Sequence, residues 1–349
     1  MIRDQVAADQ RGRAIAAVSA VLSLGGALGT LAAGPVIALL SYHWLFWLPA
    51  VLSLLAAAAT RFFAPESGQR TAGRIGGLSV LLFAAWLTLL LLAVTKLPAG
   101  RPAVVSALAA GALLLAAGWA VRETRAADPL VDLRTLWLPE VRATNLATLL
   151  LGFGMFAAWM LVPLLVQQDP ASGVGFGAHP AAVGLYLLPT VVGTLAVTPL
   201  VGRMSQPTGP RSALFVGGLA AAAAYAWLAF AHDSRVTLLL ALLLEGAGIG
   251  LAFAAVVIRT VGSVPADQTG VVTGVNTIMR TVGGTLGTSL AGALLGAFTA
   301  TAGGPSSVAY TVAFAAFSTA LLAAALIGLR PEARSAPGRP PVSKDYVCG

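Results

Sequence analysis

Apolar residues along this chain neither alternate with polar ones nor recur every third or fourth position; they run on. Ten stretches are apolar on every side for about the ~20 residues that a helix needs to cross a bilayer. They are Ala14–Leu40, Trp44–Thr60, Ile75–Thr95, Ala103–Val121 and Asn145–Val166, then Ala181–Val201, Ala213–Ala231, Val236–Ile258, Val271–Thr299 and Val308–Leu329. Strands of a membrane barrel would alternate. A run apolar all round has to satisfy its own backbone groups, which only a helix does. The pattern therefore predicts an all-α membrane protein, a bundle of about ten transmembrane helices.

The polar connections carry a sided charge. With the N-terminus placed in the cytoplasm, 17 of the 21 basic residues fall on the same side, including Arg61, Arg70, Arg74, Arg122, Arg125, Arg142, Arg203, Arg211 and Arg259. The opposite loops hold Lys96, Arg101 and Arg235, and Arg280 lies inside a span. Basic residues stay on cytoplasmic loops, so both termini are expected in the cytoplasm of a cell-membrane protein. The first run is longer than a signal-peptide core and follows a charged stretch, which predicts a retained span. Arg122–Arg142 reads as a cytoplasmic linker, and 330–349, with four prolines, as a disordered basic tail.

Composition agrees. Hydrophobic residues make up 58% and charged residues 10%, against roughly 25% charged in a soluble protein, which excludes a soluble enzyme and a coiled coil. The net charge of +8 has its explanation in the loops, so no nucleic-acid partner is implied. Cys348 is the sole cysteine and forms no internal disulfide or metal site. Nothing implies a cofactor. The glycine run Gly173–Gly177 lacks the lysine and preceding strand of a phosphate loop, and no catalytic triad or HExxH occurs.

Lipid gives helices no hydrophobic reason to associate, so close contact falls to small residues. GxxxG spacings occur at Gly25/Gly29, Gly246/Gly250, Gly283/Gly287 and Gly292/Gly296, pointing to close neighbours for the first, eighth and ninth spans. Pro35, Pro163, Pro189 and Pro199 fall where they would kink a helix.

Three motifs add a family resemblance. Arg11-Gly12-Arg13 leads into Gly25, Gly29, Gly34 and Pro35 and then Tyr42-His43-Trp44. This resembles the loop and fifth helix, with its antiporter motif, of the fourteen-helix drug:proton antiporter branch of the major facilitator superfamily. Thr30 stands where a proline is usual, Ala33 for a glycine and His43 for an arginine. Gly202-Arg203 to Gly209-Pro210-Arg211 is similar to the superfamily's cytoplasmic loop motif, with Gln206 for its aspartate and Pro207 for its arginine. Val264 to Gly270, followed by Gly274, Asn276, Arg280, Gly283, Gly284 and Gly287, resembles the loop and thirteenth helix. The resemblance implies that the ten spans correspond to helices five to fourteen, the first four being absent. It divides the chain into a two-helix remnant of the N-terminal bundle (1–64), two extra middle helices (65–121), the linker (122–143), a complete six-helix bundle (144–329) and the tail.

Only two charges fall at mid-membrane, where an ionisable group costs about 2.5–3.5 kcal/mol and is functional by default. Glu245 and Arg280 have expected depths of ~20 and ~14 Å at ~1.5 Å per residue, close enough to meet if their helices touch. Glu245 is the candidate proton or cation site, and Arg280 its partner or an anchor for a substrate anion; the alternative is a structural ion pair. Asn145, Trp159, Tyr186, Asn276 and Met279 are candidates to line a cavity. The resemblance implies proton-coupled export of lipophilic or cationic small molecules by alternating access, with a metabolite transporter or a truncated, non-transporting remnant as alternatives.

Overall fold

The computed structural model describes residues 25, 28–29, 32–37, 39–63, 76–96, 102–126, 133–201, 209–264, 268–299 and 304–329. The first expected span lies largely outside them, as do Gly202, Arg203, the 330–349 tail and Cys348. The helices are α1 (Trp44–Phe63), α2 (Gly77–Lys96), α3 (Pro102–Arg125), the short α4 (Leu133–Leu136) and α5 (Pro139–Gln167). They continue with α6 (Val183–Val201), α7 (Gly209–Phe230), α8 (Arg235–Gly262), α9 (Thr269–Ala297) and α10 (Ser307–Gly328). Eight helices among the described residues are long and apolar enough to cross a membrane.

The expected ninth span is the exception. It forms the 29-residue helix α9, but α9 is not one of those eight. Arg280, Asn276 and a series of threonines dilute it. Thr273, Thr277, Thr281 and Thr285 each donate a hydroxyl to the carbonyl four residues back, at 2.7–3.1 Å. A hydroxyl satisfied on its own helix is tolerable in a bilayer, so the helix survives with less hydropathy than its neighbours.

Helix ends follow local chemistry. Ser234 and Ser306 cap α8 and α10, accepting from the amides of Thr237 and Ala309 at 3.4 and 3.3 Å. Pro139 occupies the first turn of α5, where its missing N–H costs nothing. Between α5 and α6 the chain turns through Gly175, whose φ of 100° and closeness to the Gln168 and Leu165 carbonyls admit no side chain.

The core belongs to α5–α10. Six helices interlock there: α5 crosses α9, α8 crosses α6 and α7, and α10 packs on α7 and α5. Tyr225, Tyr310, Phe314, Phe317, Leu161 and Leu214 fill the centre and are fully buried. Arg211, from the loop motif, donates to the Gly328 carbonyl at 3.3 Å and to that of Leu329, capping the C-terminus of α10 with a cation. Arg259 at the end of α8 pairs with Glu140 at the start of α5, Nη2 to Oε1 2.6 Å. α2 and α3 form a hairpin that leans on α9 through Trp119, Phe83, Trp86, Val275 and Met279. Helix α1 is different: its membrane-length window has no buried residue.

Candidate functional site

Backbone closeness sets the geometry. At the α5/α9 crossing, Gly152 sits against the Arg280 carbonyl, Gly283 against that of Leu149 and Gly287 against that of Phe153. At the α6/α8 crossing, Gly246 sits against the Thr190 carbonyl and Gly193 against that of Leu243, with Gly250 over Thr194. A methyl group at any of these carbonyl contacts would overlap the facing backbone. Of the four GxxxG spacings, Gly246/Gly250 and Gly283/Gly287 therefore lie at helix crossings. Gly25, Gly29 and Gly296 have open space where a Cβ would sit, and Gly34 faces the Ala181 carbonyl.

With α9 pinned to α5 by one face, its other face is presented outward. Val272, Asn276, Gly283 and Gly287 are buried, whereas Gly270, Gly274, Thr277, Arg280 and Thr281 are exposed. Val271 and Leu290 are exposed as well, 37% each, so the outward side is mixed, with Thr277, Arg280 and Thr281 as its polar residues on a helix of a membrane bundle. Sequence reading singled out Arg280 but missed the threonines. Their four-residue period from Thr269 to Thr285 was the available signal, since residues four apart share a helix face.

Arg280 and Glu245 do not form the expected pair. The Arg280 guanidinium lies over the Phe253 ring of α8, 5.6 Å from its centroid, while its side chain stays exposed. Glu245 points the other way, into the protein, and is 1% exposed. Phe253 is eight residues beyond Glu245 on α8, about 12 Å along the helix at ~1.5 Å per residue, so the two charges sit at different levels.

Around Glu245 the partners are sparse. Thr190 of α6 is the hydroxyl that approaches the carboxylate, but the pair does not reach hydrogen-bond geometry. Glu245 Oε1 and Oε2 and Thr190 Oγ1 are all buried with no bond. Tyr225 of α7 is near enough to feel the carboxylate's charge, yet donates its hydroxyl to the Gly154 carbonyl at 2.7 Å. Thr194 spans the crossing, donating to the carbonyls of Thr190 and Gly246, both at 2.9 Å. Buried polar groups are nearly always bonded, and these three oxygens are an exception at one point of the α6/α8 crossing.

The remaining cavity candidates divide. Asn276 Nδ2 donates to Thr148 Oγ1 at 2.7 Å and to Asn145 Oδ1 at 3.2 Å, joining α9 to α5. Trp159 is 52% exposed and contacts Phe156. Tyr186 stacks on Phe176, with ring centroids 6.0 Å apart, and Met279 packs among the α2–α3 aromatics. Of these five, Asn276 and Asn145 join α9 to α5, while Trp159, Tyr186 and Met279 each pack against different residues. No cluster of His, Cys, Asp and Glu suited to a metal occurs among the described residues.

The sequence profile of the Major Facilitator Superfamily matches residues 1–288 and 144–345 in two overlapping alignments. The chain belongs to the Major Facilitator Superfamily. It is a multi-pass membrane protein of that family, with the helix bundle that the membership requires. Among curated relatives, the Multidrug resistance protein B homolog of Mycobacterium tuberculosis is 28% identical over 226 residues, covering 63% of this chain and 40% of the relative. The Cephamycin export protein CmcT of Amycolatopsis lactamdurans is 33% identical over 193 residues, 52% of this chain and 40% of the relative. The Puromycin resistance protein pur8 of Streptomyces alboniger is 29% identical over 218 residues, 62% and 42%. The chain spans about two fifths of the length of these relatives.

Proposed function

We propose that this chain is the later part of a fourteen-helix drug:proton antiporter and takes part in exporting lipophilic or cationic small molecules. The observation that carries the reading is a charged group on the outward side of α9: Arg280, flanked by Thr277 and Thr281, is exposed on a helix pinned by glycines to a membrane bundle. A guanidinium facing lipid would be costly, whereas the threonine hydroxyls are already bonded on their own helix; facing an aqueous path between two halves, the guanidinium is solvated and available to a solute. Relatives whose names state multidrug resistance, cephamycin export and puromycin resistance support the substrate class.

In this reading Glu245 exchanges the proton and Arg280 orients anionic groups of the solute. Glu245 lies toward Thr190 of α6 and Arg280 reaches α8 at Phe253, so coupling runs through movement of α8 against α6. Alternating access arises from rocking of the six-helix bundle against a second half. Sided basic loops support a cell-membrane location with both termini in the cytoplasm. Protons and small molecules are the partners, and no cofactor takes part.

Accumulation of ethidium in pump-deficient cells, with and without the gene and with a protonophore added, tests this. Lower accumulation that the protonophore abolishes is expected. Unchanged ethidium together with altered uptake of one compound from an amino-acid and sugar panel would replace drug export with metabolite transport.

A further inference from the structure

The end of α3 opens onto a groove of about 410 Å3 lined by Gly118, Val121, Arg122, Arg125 and Ala126. Both arginines are exposed. Arg122 donates Nε to Ser79 Oγ of α2 at 3.3 Å, and Ser79 is itself buried, 5% exposed. That bond fixes the guanidinium's direction and leaves its two Nη groups without a bond among the described residues; Arg125 makes none there either. Glu123, the acid between them, is turned inward at 3% exposure and does not line the groove.

Toward the membrane interior the same helix face becomes apolar. Leu114, Gly118, Val121 and Arg125 follow one another at spacings of three and four, which keeps them on one side of a helix. Leu114 is 75% and Val121 49% exposed, and the position of a Cβ on Gly118 is open space. A planar guanidinium pair matches phosphate oxygens with its forked donors, and basic pockets beside transmembrane helices suit anionic headgroups. A free phosphate would need only the arginines; the apolar strip leading away from them fits a molecule that also carries a hydrocarbon chain. We infer that this groove holds an anionic phospholipid, its phosphate between Arg122 and Arg125 and one acyl chain along Val121, Gly118 and Leu114.

The test uses the full chain in nanodiscs of phosphatidylcholine, with or without phosphatidylglycerol, read by native mass spectrometry after transfer to detergent. Retained phosphatidylglycerol is expected on the wild type and on Lys96→Gln, which removes a cation from the far end of α2. An Arg122→Gln/Arg125→Gln variant should lose about ten-fold in retention, equivalent to about 1.4 kcal/mol. An Arg122→Lys/Arg125→Lys variant, which keeps the charge without the fork, should fall between. Equal retention by wild type and the double glutamine variant would overturn the site. Inorganic phosphate or glycerol phosphate displacing the lipid at equal concentration would also overturn it, by showing a free-anion site. Should the glutamine variant fold poorly, Gly118→Leu fills the groove and leaves both arginines; undiminished retention there counts against the proposal too.

Discussion

At the crossing of α5 and α9, glycines let two backbones touch, and the polar group beside them, Asn276, donates its Nδ2 to both Thr148 and Asn145. At the crossing of α6 and α8, glycines do the same, but the neighbouring polar group is Glu245, with neither oxygen bonded. One contact is closed chemically as well as sterically; the other keeps an expensive group in reserve. Small residues supply the closeness at both crossings, and the adjoining side chains differ in whether they tie the two helices together. An amide that meets a hydroxyl and a second amide rigidifies. A carboxyl in the same setting without partners gains something only when a proton, ion or movement relieves it.

The largest effect should come from removing the closeness itself. Gly283→Leu and Gly246→Leu each drive a side chain into a facing carbonyl, so each should destabilise the bundle by about 3 kcal/mol or more. Gly296→Ala is the contrast, since open space surrounds it; the change should be neutral or raise stability by about 0.5–1 kcal/mol through helix propensity. Thermal unfolding of the purified variants in detergent checks all three. Equal losses at Gly296 and Gly283 would mean that composition, rather than contact, explains these glycines.

A smaller loss is expected at the closed crossing. Asn276→Ala leaves the Thr148 hydroxyl its bond to the Thr144 carbonyl at 2.9 Å, so the cost is that of an interhelical bond in a membrane, about 1 kcal/mol. Unfolding in detergent reads it. A loss comparable to the glycine variants would make Asn276 the main fastener of α9 instead.

How much of this was readable beforehand depends on which kind of fact is asked for. The spans of α5, α7, α8 and α10 were legible because lipid imposes a crude and strong rule, length times hydropathy. So were Gly246 and Gly283, because a four-residue spacing on a helix implies a shared face. What the sequence withheld was direction. Glu245 and Arg280 have similar depths by residue count, and nothing local says that one side chain enters the core while the other lies over Phe253. Rotation of α8 about its axis is set by its partners on two sides, α6 and α7, and those are tertiary facts. The threonine stripe of α9 was written plainly in the sequence, yet it lowers hydropathy and so looks like weakness in a span until α5 is seen covering the opposite face.

The smallest change in stability should come from the open crossing, and there the sign matters more than the size. Glu245→Gln keeps the shape of the side chain, cannot gain or lose a proton, and offers an amide that Thr190 can meet. Replacing a buried carboxyl that has no bonded oxygen should leave unfolding within about 1 kcal/mol of wild type, with any shift toward greater stability. Proton-driven ethidium transport in reconstituted vesicles should nevertheless be lost, while binding at the exposed α9 face persists, because Glu245 does not line it. Measured together, unchanged folding, retained binding and lost coupling would separate a working carboxyl from a structural one. Full pH-driven transport by this variant would put proton exchange elsewhere, and a large fall in stability would make the α6/α8 crossing a clamp like its counterpart.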